Sequence, residues 1–328
     1  MFEGFPTEDE VVASWRGDRE KPIVTFACLT YRHAAFVVDT FRGFINQRTT
    51  FPFEIICFDD CSPDNTRGVI DQFAERYPSI VRTVYPKTNQ SSLGSKPIFD
   101  FVVPISEGRY LAMCEGDDFW SDPLKIQKQV DFLDNNPAYS IVNHDINTVD
   151  VNGNIVDENY LPDFYKKDFS SEEIKLAWSC VQVASMLFRN VIRDIPEEMR
   201  KAPSGDIFLS SLLGHFGKAK YLSDIKPAMY RQHGGGEFSP LPLSEKYAHQ
   251  EMNFYWLHRY YRRIGCEHEA RFFRLRHAER ALRGVSAADI VKLVYLAIRP
   301  GQIRKVLMSL QDRRTRLPPE EHQGRSAG

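Results

Sequence analysis

What the 328-residue chain lacks narrows its class first. It has no apolar run of the roughly 18–20 residues that crossing a bilayer demands. The longest candidate, Val285 to Ile298, covers 14 residues and is interrupted by Asp289 and Lys292. The opening MFEGFPTEDEVV is acidic, so a secretory signal is not expected. There are no paired CxxC knuckles. The six cysteines, at 28, 57, 61, 114, 180 and 266, are scattered, and Cys28, Cys57 and Cys114 lie inside apolar strand-like runs. That placement predicts buried, reduced thiols rather than disulfides or a structural zinc site. No repeat of roughly 20–50 residues is visible, which argues against solenoids and propellers. Hydrophobic (42%) and charged (26%) fractions are ordinary, so a sizeable core is available and a disordered or fibrous chain is excluded. The expectation is a soluble, cytoplasmic protein.

The formal net charge is −2, but it is unevenly spread. From Glu251 onward, 16 Lys and Arg stand against 8 Asp and Glu, which leaves about −10 on the residues before. Solvated helix faces would explain the excess. A sharper expectation is a basic surface meeting the inner face of a membrane or a lipid-diphosphate acceptor. No recognisable nucleic-acid module accompanies it, so nucleic acid is not an expected partner.

In the first half, apolar β-rich runs alternate with helix-period segments. PIVTFACL (22–29), FEIICF (53–58), VRTVY (81–85) and RYLAMC (109–114) read as strands. Between them, Val37, Phe41, Phe44 and Ile45 share a helical face. Ser62-Pro63 reads as the cap and first turn of a helix carrying Val69, Ile70 and Phe73. Pro97 opens a further helix through Ile98, Phe101, Val102 and Ile105. This rhythm predicts an α/β fold with a mostly parallel, Rossmann-like sheet flanked by helices. A helix from Pro123 to about Asn135 follows, then short strands and turns with Asn152-Gly153 as a hairpin signal. From Leu243 to Arg316 the pattern is helical, broken at Pro300-Gly301. The expected organisation is an N-terminal extension (1–20), a nucleotide-fold domain (21–240), a helical basic extension (241–316) and a disordered tail (317–328).

In open parallel sheets ligands bind beyond the carboxyl ends of the strands. Thr30-Tyr31-Arg32-His33 follow the first run and Asp59-Asp60-Cys61-Ser62-Pro63-Asp64 the second. Asn89 and Gln90 lie after the third, and Glu115-Gly116-Asp117-Asp118-Phe119-Trp120 after the fourth. So many carboxylates on one edge are costly unless a cation offsets them. Oxygen donors without thiolates or clustered histidines favour Mg²⁺ or Mn²⁺ over zinc. The plainer role for Asp117 or Asp118 is to cap the helix beginning near Pro123, and for Asp59 or Asp60 to form the turn before the Ser62-capped helix.

The strings TYRH, CFDDCSPDNT and GRYLAMCEGDDFWSDPLKIQKQVDFLDNNP resemble inverting family-2 glycosyltransferases of GT-A fold, of the type that builds bacterial cell-surface polysaccharides. SGDIFLSSLLGHFGKAKYLSD and MYRQHGGGEFS continue the likeness, which spans roughly residues 21–235. It implies a nucleotide-diphosphate-sugar donor of UDP or dTDP type, a glycan or lipid-linked acceptor, and Mn²⁺ or Mg²⁺. By the same likeness, Thr30 and Tyr31, with Arg32 beside them, pack round base and ribose, and Asp59 or Asp60 bonds the nucleobase. Glu115-Gly116-Asp117 takes the DXD position, with Asp117 a metal ligand and Asp118 a ribose or sugar contact. Glu115 departs from the usual Asp, and its longer side chain reaches the metal through water. Asp206 matches the catalytic base, which also fits a helix cap, and His233 a second metal ligand. Arg231 either reaches the diphosphate or makes a surface salt bridge, and Gly234–Gly236 form a flap. Asn89 is retained, Lys96 stands in for a family Arg, and Trp120 stacks on sugar or acceptor or else belongs to the core. Two alternatives compete with this reading: a catalytically inactive scaffold of the same fold, and a sugar-nucleotide pyrophosphorylase. The second is disfavoured because LTYRHAAF, after the first strand, has no glycine.

Overall fold

The computed structural model describes residues 2–281, except 159, 180, 181, 193 and 237–240, together with Val291. Residues 1–277 form one compact unit and residues 278–328 a second. The Pro300-Gly301 break, most of the basic C-terminal stretch and the tail lie outside the described residues.

The short helix α1 (Glu8–Val12) starts the chain, capped reciprocally by Thr7 and Glu10. Phe5, Val11 and Val12 are buried, and the Phe5 ring lies 5.3 Å from that of Phe73. The expected β–α rhythm follows: β1 (Val24–Thr30), α2 (Val37–Ile45), β2 (Phe53–Asp59), α3 (Thr66–Arg76), β3 (Val81–Val84) and β4 (Tyr110–Glu115). β1 and β2 are almost wholly buried, as their unbroken apolar runs require of strands covered on both faces. Cys28, Cys57 and Cys114 lie in one row across β2, β1 and β4, buried and free of disulfides.

Two expected helices begin or end differently. Ser62 does not cap α3. Its hydroxyl donates to Asp59 Oδ1 (2.5 Å), and the helix starts at Thr66, whose N–H donates to Asp64. The segment after Pro97 is a π-helical turn (Ile98–Val102) followed by a 3₁₀ turn (Val103–Ile105). Pro104, which has no N–H to give, sits inside that stretch and prevents a continuous helix.

Next come α4 (Lys125–Asn135), β5 (Tyr139–Asn143), β6 (Ile146–Val149), β7 (Ile155–Asp157), α5 (Ser171–Lys175), β8 (Leu187–Arg189), α6 (Glu197–Lys201), α7 (Gly205–Leu213), β9 (Lys218–Tyr221) and β10 (Ala228–Arg231). The main sheet runs β3-β2-β1-β4-β8-β5-β9, parallel except for β8. A small sheet, β10-β6-β7, lies beside it, and Gly153 (φ 84°) turns the β6–β7 hairpin where Asn152-Gly153 marked it. Two helices, α8 (Leu243–Arg263) and α9 (Glu267–Ala281), end the described chain. Phe254, Leu257 and Tyr261 of α8 are buried in the same apolar cluster as Phe208 and Leu212 of α7. Arg263 forks onto Glu198 of α6 at 2.7 and 2.9 Å. Among the described residues no helix is long and apolar enough to cross a membrane.

The strand order reverses at β1, since β2 and β3 lie on one side and β4 on the other. The crevice beyond β1 and β4 is therefore the ligand-binding switch point of such a sheet. Gly43 sets how closely α2 approaches it. A Cβ there would lie 2.7 Å from Trp120 N and 2.9 Å from Trp120 O. Overpacking costs about 1–3 kcal/mol and outweighs the roughly 1 kcal/mol of helix propensity that alanine brings. Gly43→Ala should therefore lower stability to chemical denaturation; an unchanged or higher stability would show that α2 can move away.

Candidate active site

β1 delivers Thr30 to the crevice, and the chain then turns sharply. Arg32 takes the left-handed region (φ 60°), uncommon outside glycine, with its N–H on Ser62 Oγ at 2.9 Å. The turn brings His33 back over the sheet edge, fixed by its own N–H on Thr66 Oγ1 at 2.9 Å. β4 ends at Glu115, and the Gly116 N–H donates to Leu29 O at 2.9 Å. Any Cβ at 116 would meet Thr30 Cγ2 at 2.4 Å and His33 Nδ1 at 3.0 Å, so this position requires glycine.

The next residue, Asp117, is 9% exposed and forms the centre of the site. His233 Nε2 lies 2.9 Å from its Oδ2, and His33 Nε2 lies 3.5 Å from the same oxygen. The two imidazoles stand at 85° with centroids 6.2 Å apart. Each of His33, Asp117 and His233 offers a ligand atom within 4.8 Å of the others, and so do Glu115, Asp117 and Asp118. Asp117 Oδ1 and His33 Nδ1 are buried without a hydrogen-bond partner among the described residues. Converging donors with unsatisfied capacity fit a divalent cation. The sequence offered oxygen donors and one matched histidine; the fold adds a second imidazole, so the set is softer than expected.

Burial opposes ionisation of Asp117, yet the hydrogen bond from His233 and the nearby His33 overcome it and hold the carboxyl below its usual range. Burial also pushes His33 down, against the pull of Asp117. Of the two histidines, His233 does more to hold Asp117 ionised, through its hydrogen bond. Asp118 goes the other way: burial, then Asp117 and Glu115, raise its pKa well above the ordinary value.

One neighbour departs from its expected roles, and another settles on one of the two expected of it. Arg231 is 2% exposed and does not point at a diphosphate. Its Nε donates to Asp117 O (2.9 Å), Nη2 to Asp39 Oδ2 (2.8 Å) and Nη1 to Val151 O (2.9 Å), while its main-chain N–H donates to Asp118 Oδ1 (2.9 Å). It binds the β4 loop to β10 and the hairpin instead. Trp120 takes the core role, the second of its two expected ones. It is 4% exposed, packs edge-on to Phe26 at 5.0 Å, and donates Nε1 to Ala184 O at 2.8 Å. Asp118, expected to contact ribose or sugar, is likewise turned inward, because the Arg231 N–H occupies its carboxylate.

The remaining expected residues fall into two further groups. Thr30 is fully buried, and its hydroxyl donates to Asp59 Oδ1 (3.1 Å) instead of facing a ribose. Asp59 also accepts both groups of Ser62, and Asp60 accepts the N–H groups of Gln90 (2.6 Å) and Ser91 (2.9 Å). These are the turn-forming roles. Asn89 joins them, donating to Asp60 O (3.1 Å) and accepting from Ser92 N (2.7 Å). Tyr31 and Arg32 remain partly or fully exposed at the end of β1, with the guanidinium 5.2 Å from the phenol ring. Separately, Asp206 sits in the first turn of α7 beside Lys96, whose Nζ donates to Ala202 O (2.7 Å). Burial raises the Asp206 pKa, and the bonds from its own helix start and the Lys96 charge only partly offset this. Sequence reasoning assigned His33 no role. Its one signal was its place directly beyond the strand at which the sheet order reverses.

The sequence profile described as Glycosyl transferase family 2 matches residues 25–195. An uncharacterized protein of Mycobacterium tuberculosis is 32% identical over 65% of this chain and 60% of its own length, so the chain spans about 60% of such relatives. A putative teichuronic acid biosynthesis glycosyltransferase of Bacillus subtilis, TuaG, is 28% identical over 34% of this chain and 42% of its own. Among solved structures, S. aureus TarS 1–349 in complex with UDP-GlcNAc aligns with TM-score 0.52 at 15% identity, over 71% of this chain and 66% of that one. The mannosyltransferase PcManGT from Pyrobaculum calidifontis, in complex with GDP-Man and Mn²⁺, aligns with TM-score 0.51 at 14% identity, over 88% and 84%. These structural likenesses show a shared GT-A fold.

The Arg231 cluster can be tested on stability alone. Arg231→Met strands buried acceptors and should cost roughly 3 kcal/mol, the lower end for breaking a buried pair because Asp39 is half exposed. Arg231→Lys should recover little of it, since one ammonium cannot replace the planar fork. Full stability in either variant by denaturant unfolding would contradict this role.

Proposed function

The chain belongs to glycosyl transferase family 2, and from that premise we propose that it moves a sugar, with inversion, from a nucleotide-diphosphate-sugar to a glycan or lipid-linked acceptor in cell-surface polysaccharide synthesis. The observation that carries this reading is the convergence of two imidazoles on the buried Asp117 at the β1/β4 switch point. Asp117 and His233 would hold Mn²⁺ or Mg²⁺, with Glu115 beside them. When bound, that cation offsets the charge that grows on the departing nucleoside diphosphate. Tyr31 and Arg32, exposed at the end of β1, line the place of the nucleoside. Donors in the complexes of structural neighbours, UDP-GlcNAc and GDP-Man, support the class of donor without fixing its base or sugar.

Asp206 is the general base of this proposal. Inversion requires a carboxylate on the side of the anomeric carbon opposite the diphosphate, to accept the acceptor hydroxyl proton as its oxygen attacks. A partly buried carboxyl with a raised pKa is a stronger base than an exposed one, and Asp206 has that environment. Lys96 fixes the loop that carries it through Ala202 and Pro203.

A panel of nucleotide-sugars, read by metal-dependent release of nucleoside diphosphate with and without membrane extract, tests the activity. Saturable binding without turnover across that panel would favour an inactive binding module. Asp206→Asn should keep nucleotide binding and lose most transfer, by at least about 100-fold, the usual scale for general-base catalysis; wild-type turnover would remove Asp206 from this role. The pH profile gives a second check. Because the Asp206 pKa is raised, transfer should fall on acidification through an apparent pKa above the ordinary value of about 3.9. A rate flat down to pH near 4 would contradict the assignment. Asp117→Asn should weaken metal-dependent nucleotide binding in calorimetry, and an unchanged metal requirement would contradict its ligand role.

A further inference from the structure

Resting on the metal-dependent reading above, we propose that His33 is a third protein ligand of the divalent cation, completing with Asp117 and His233 a site of one carboxylate and two imidazoles that selects Mn²⁺ over Mg²⁺. Three separate stretches of chain supply these side chains: the turn after β1, the loop after β4 and the segment after β10. Both Nε2 atoms approach one oxygen, Asp117 Oδ2, at 2.9 and 3.5 Å, and the ligand atoms of all three residues lie within 4.8 Å of one another.

Three local features make little sense for a histidine that merely fills space. Asp117, which the His33 Nε2 approaches, keeps a second oxygen, Oδ1, buried with no hydrogen-bond partner among the described residues. A cluster that bound nothing would leave that oxygen unpaired for no return. The turn that aims His33 requires a non-glycine residue, Arg32, in the left-handed region, a conformation that persists only where surroundings impose it. Position 116 has no room for a Cβ, which would sit 2.4 Å from Thr30 Cγ2 and 3.0 Å from His33 Nδ1, so the β4 loop passes close against the turn that carries the ring. Backbone on two strands is thus shaped round this imidazole.

The donor set fixes the metal preference. Magnesium takes oxygen ligands and holds its waters, whereas imidazole nitrogen binds the first-row transition ions, of which manganese is the weakest binder and still a better match for nitrogen than magnesium. One oxygen and two nitrogens from the protein therefore favour manganese.

The test uses the full chain, freed of metal and titrated with Mn²⁺ alone and against Mg²⁺, followed by electron paramagnetic resonance. The wild type should bind Mn²⁺ in preference to Mg²⁺, with nitrogen couplings from two imidazoles. His33→Ala should weaken Mn²⁺ by at least about 10-fold, show one imidazole, and narrow the preference over Mg²⁺. His33→Phe keeps a ring in the slot without either nitrogen and should behave alike if the alanine variant is unstable. If the wild type binds Mn²⁺ and Asp117→Asn abolishes it, while both His33 variants retain wild-type affinity and couplings, the His33 assignment is overturned and the transferase reading stands. If the wild type binds no Mn²⁺ at all, the metal-dependent reading falls and this inference falls with it.

Discussion

Two adjacent carboxylates, Asp117 and Asp118, are buried at the end of β4, and the site depends on how the protein tolerates them. An uncompensated buried charge is expensive, and two side by side are worse. The chain divides the problem. Asp118 is pushed toward its neutral form and satisfied by the Arg231 main chain, while Asp117 stays ionised through the His233 hydrogen bond. Arg231 brings the only guanidinium in contact with both the Asp117 carbonyl and Asp39 among the described residues, and its other donors bind the carbonyls of Asp150 and Val151. One buried cation therefore fixes the β4 loop, α2, the β6–β7 hairpin and β10 at once.

The same interaction explains how the second sheet takes part in chemistry beyond the first. β10 pairs with β6 and not with the main sheet. Its reach to the crevice comes from the Phe119–Met229 bridge and from Arg231, which together place His233 two residues later over Asp117. Phe36, after β1, completes the enclosure: its ring lies 4.7 Å from that of His233 and 4.9 Å from the Arg231 guanidinium. Local turn chemistry then works with tertiary packing. Glycine at 116 and the left-handed Arg32 let the β1 and β4 loops touch where larger or more extended residues would keep them apart.

Much of this architecture was legible in the residues. β1, β2 and β4 were visible because strands covered on both faces need unbroken apolar runs, and α2 because Val37, Phe41, Phe44 and Ile45 recur at helical spacing. The pairing of Asp117 with His233, 116 residues apart, came from the resemblance rather than from any local signal. Other features depended on competition that a linear reading does not weigh. Ser62 looked like a helix cap, but Asp59 takes its hydroxyl. Trp120, next to the acidic loop, read equally as a stacking platform or a core residue, and the apolar pocket formed by Phe26 and Phe44 decides for the core. Arg231 read as a diphosphate ligand or a surface ion-pair partner; the cost of burying Asp117 and Asp118 directs it inward. His33 was hidden because a single histidine after a strand carries no spacing signal until the strand order brings β4 beside it.

The account turns on the buried carboxylate of Asp117 being the point where protein, cation and leaving group meet. Crystals soaked with Mn²⁺ and a nucleoside diphosphate, with diffraction collected at the manganese edge, test this most directly. The account predicts one strong anomalous peak bonded to Asp117 and His233, with the diphosphate beside it beyond β1 and β4. A diphosphate bound elsewhere, or a manganese peak away from Asp117 while its carboxylate stays paired with His233, would contradict it.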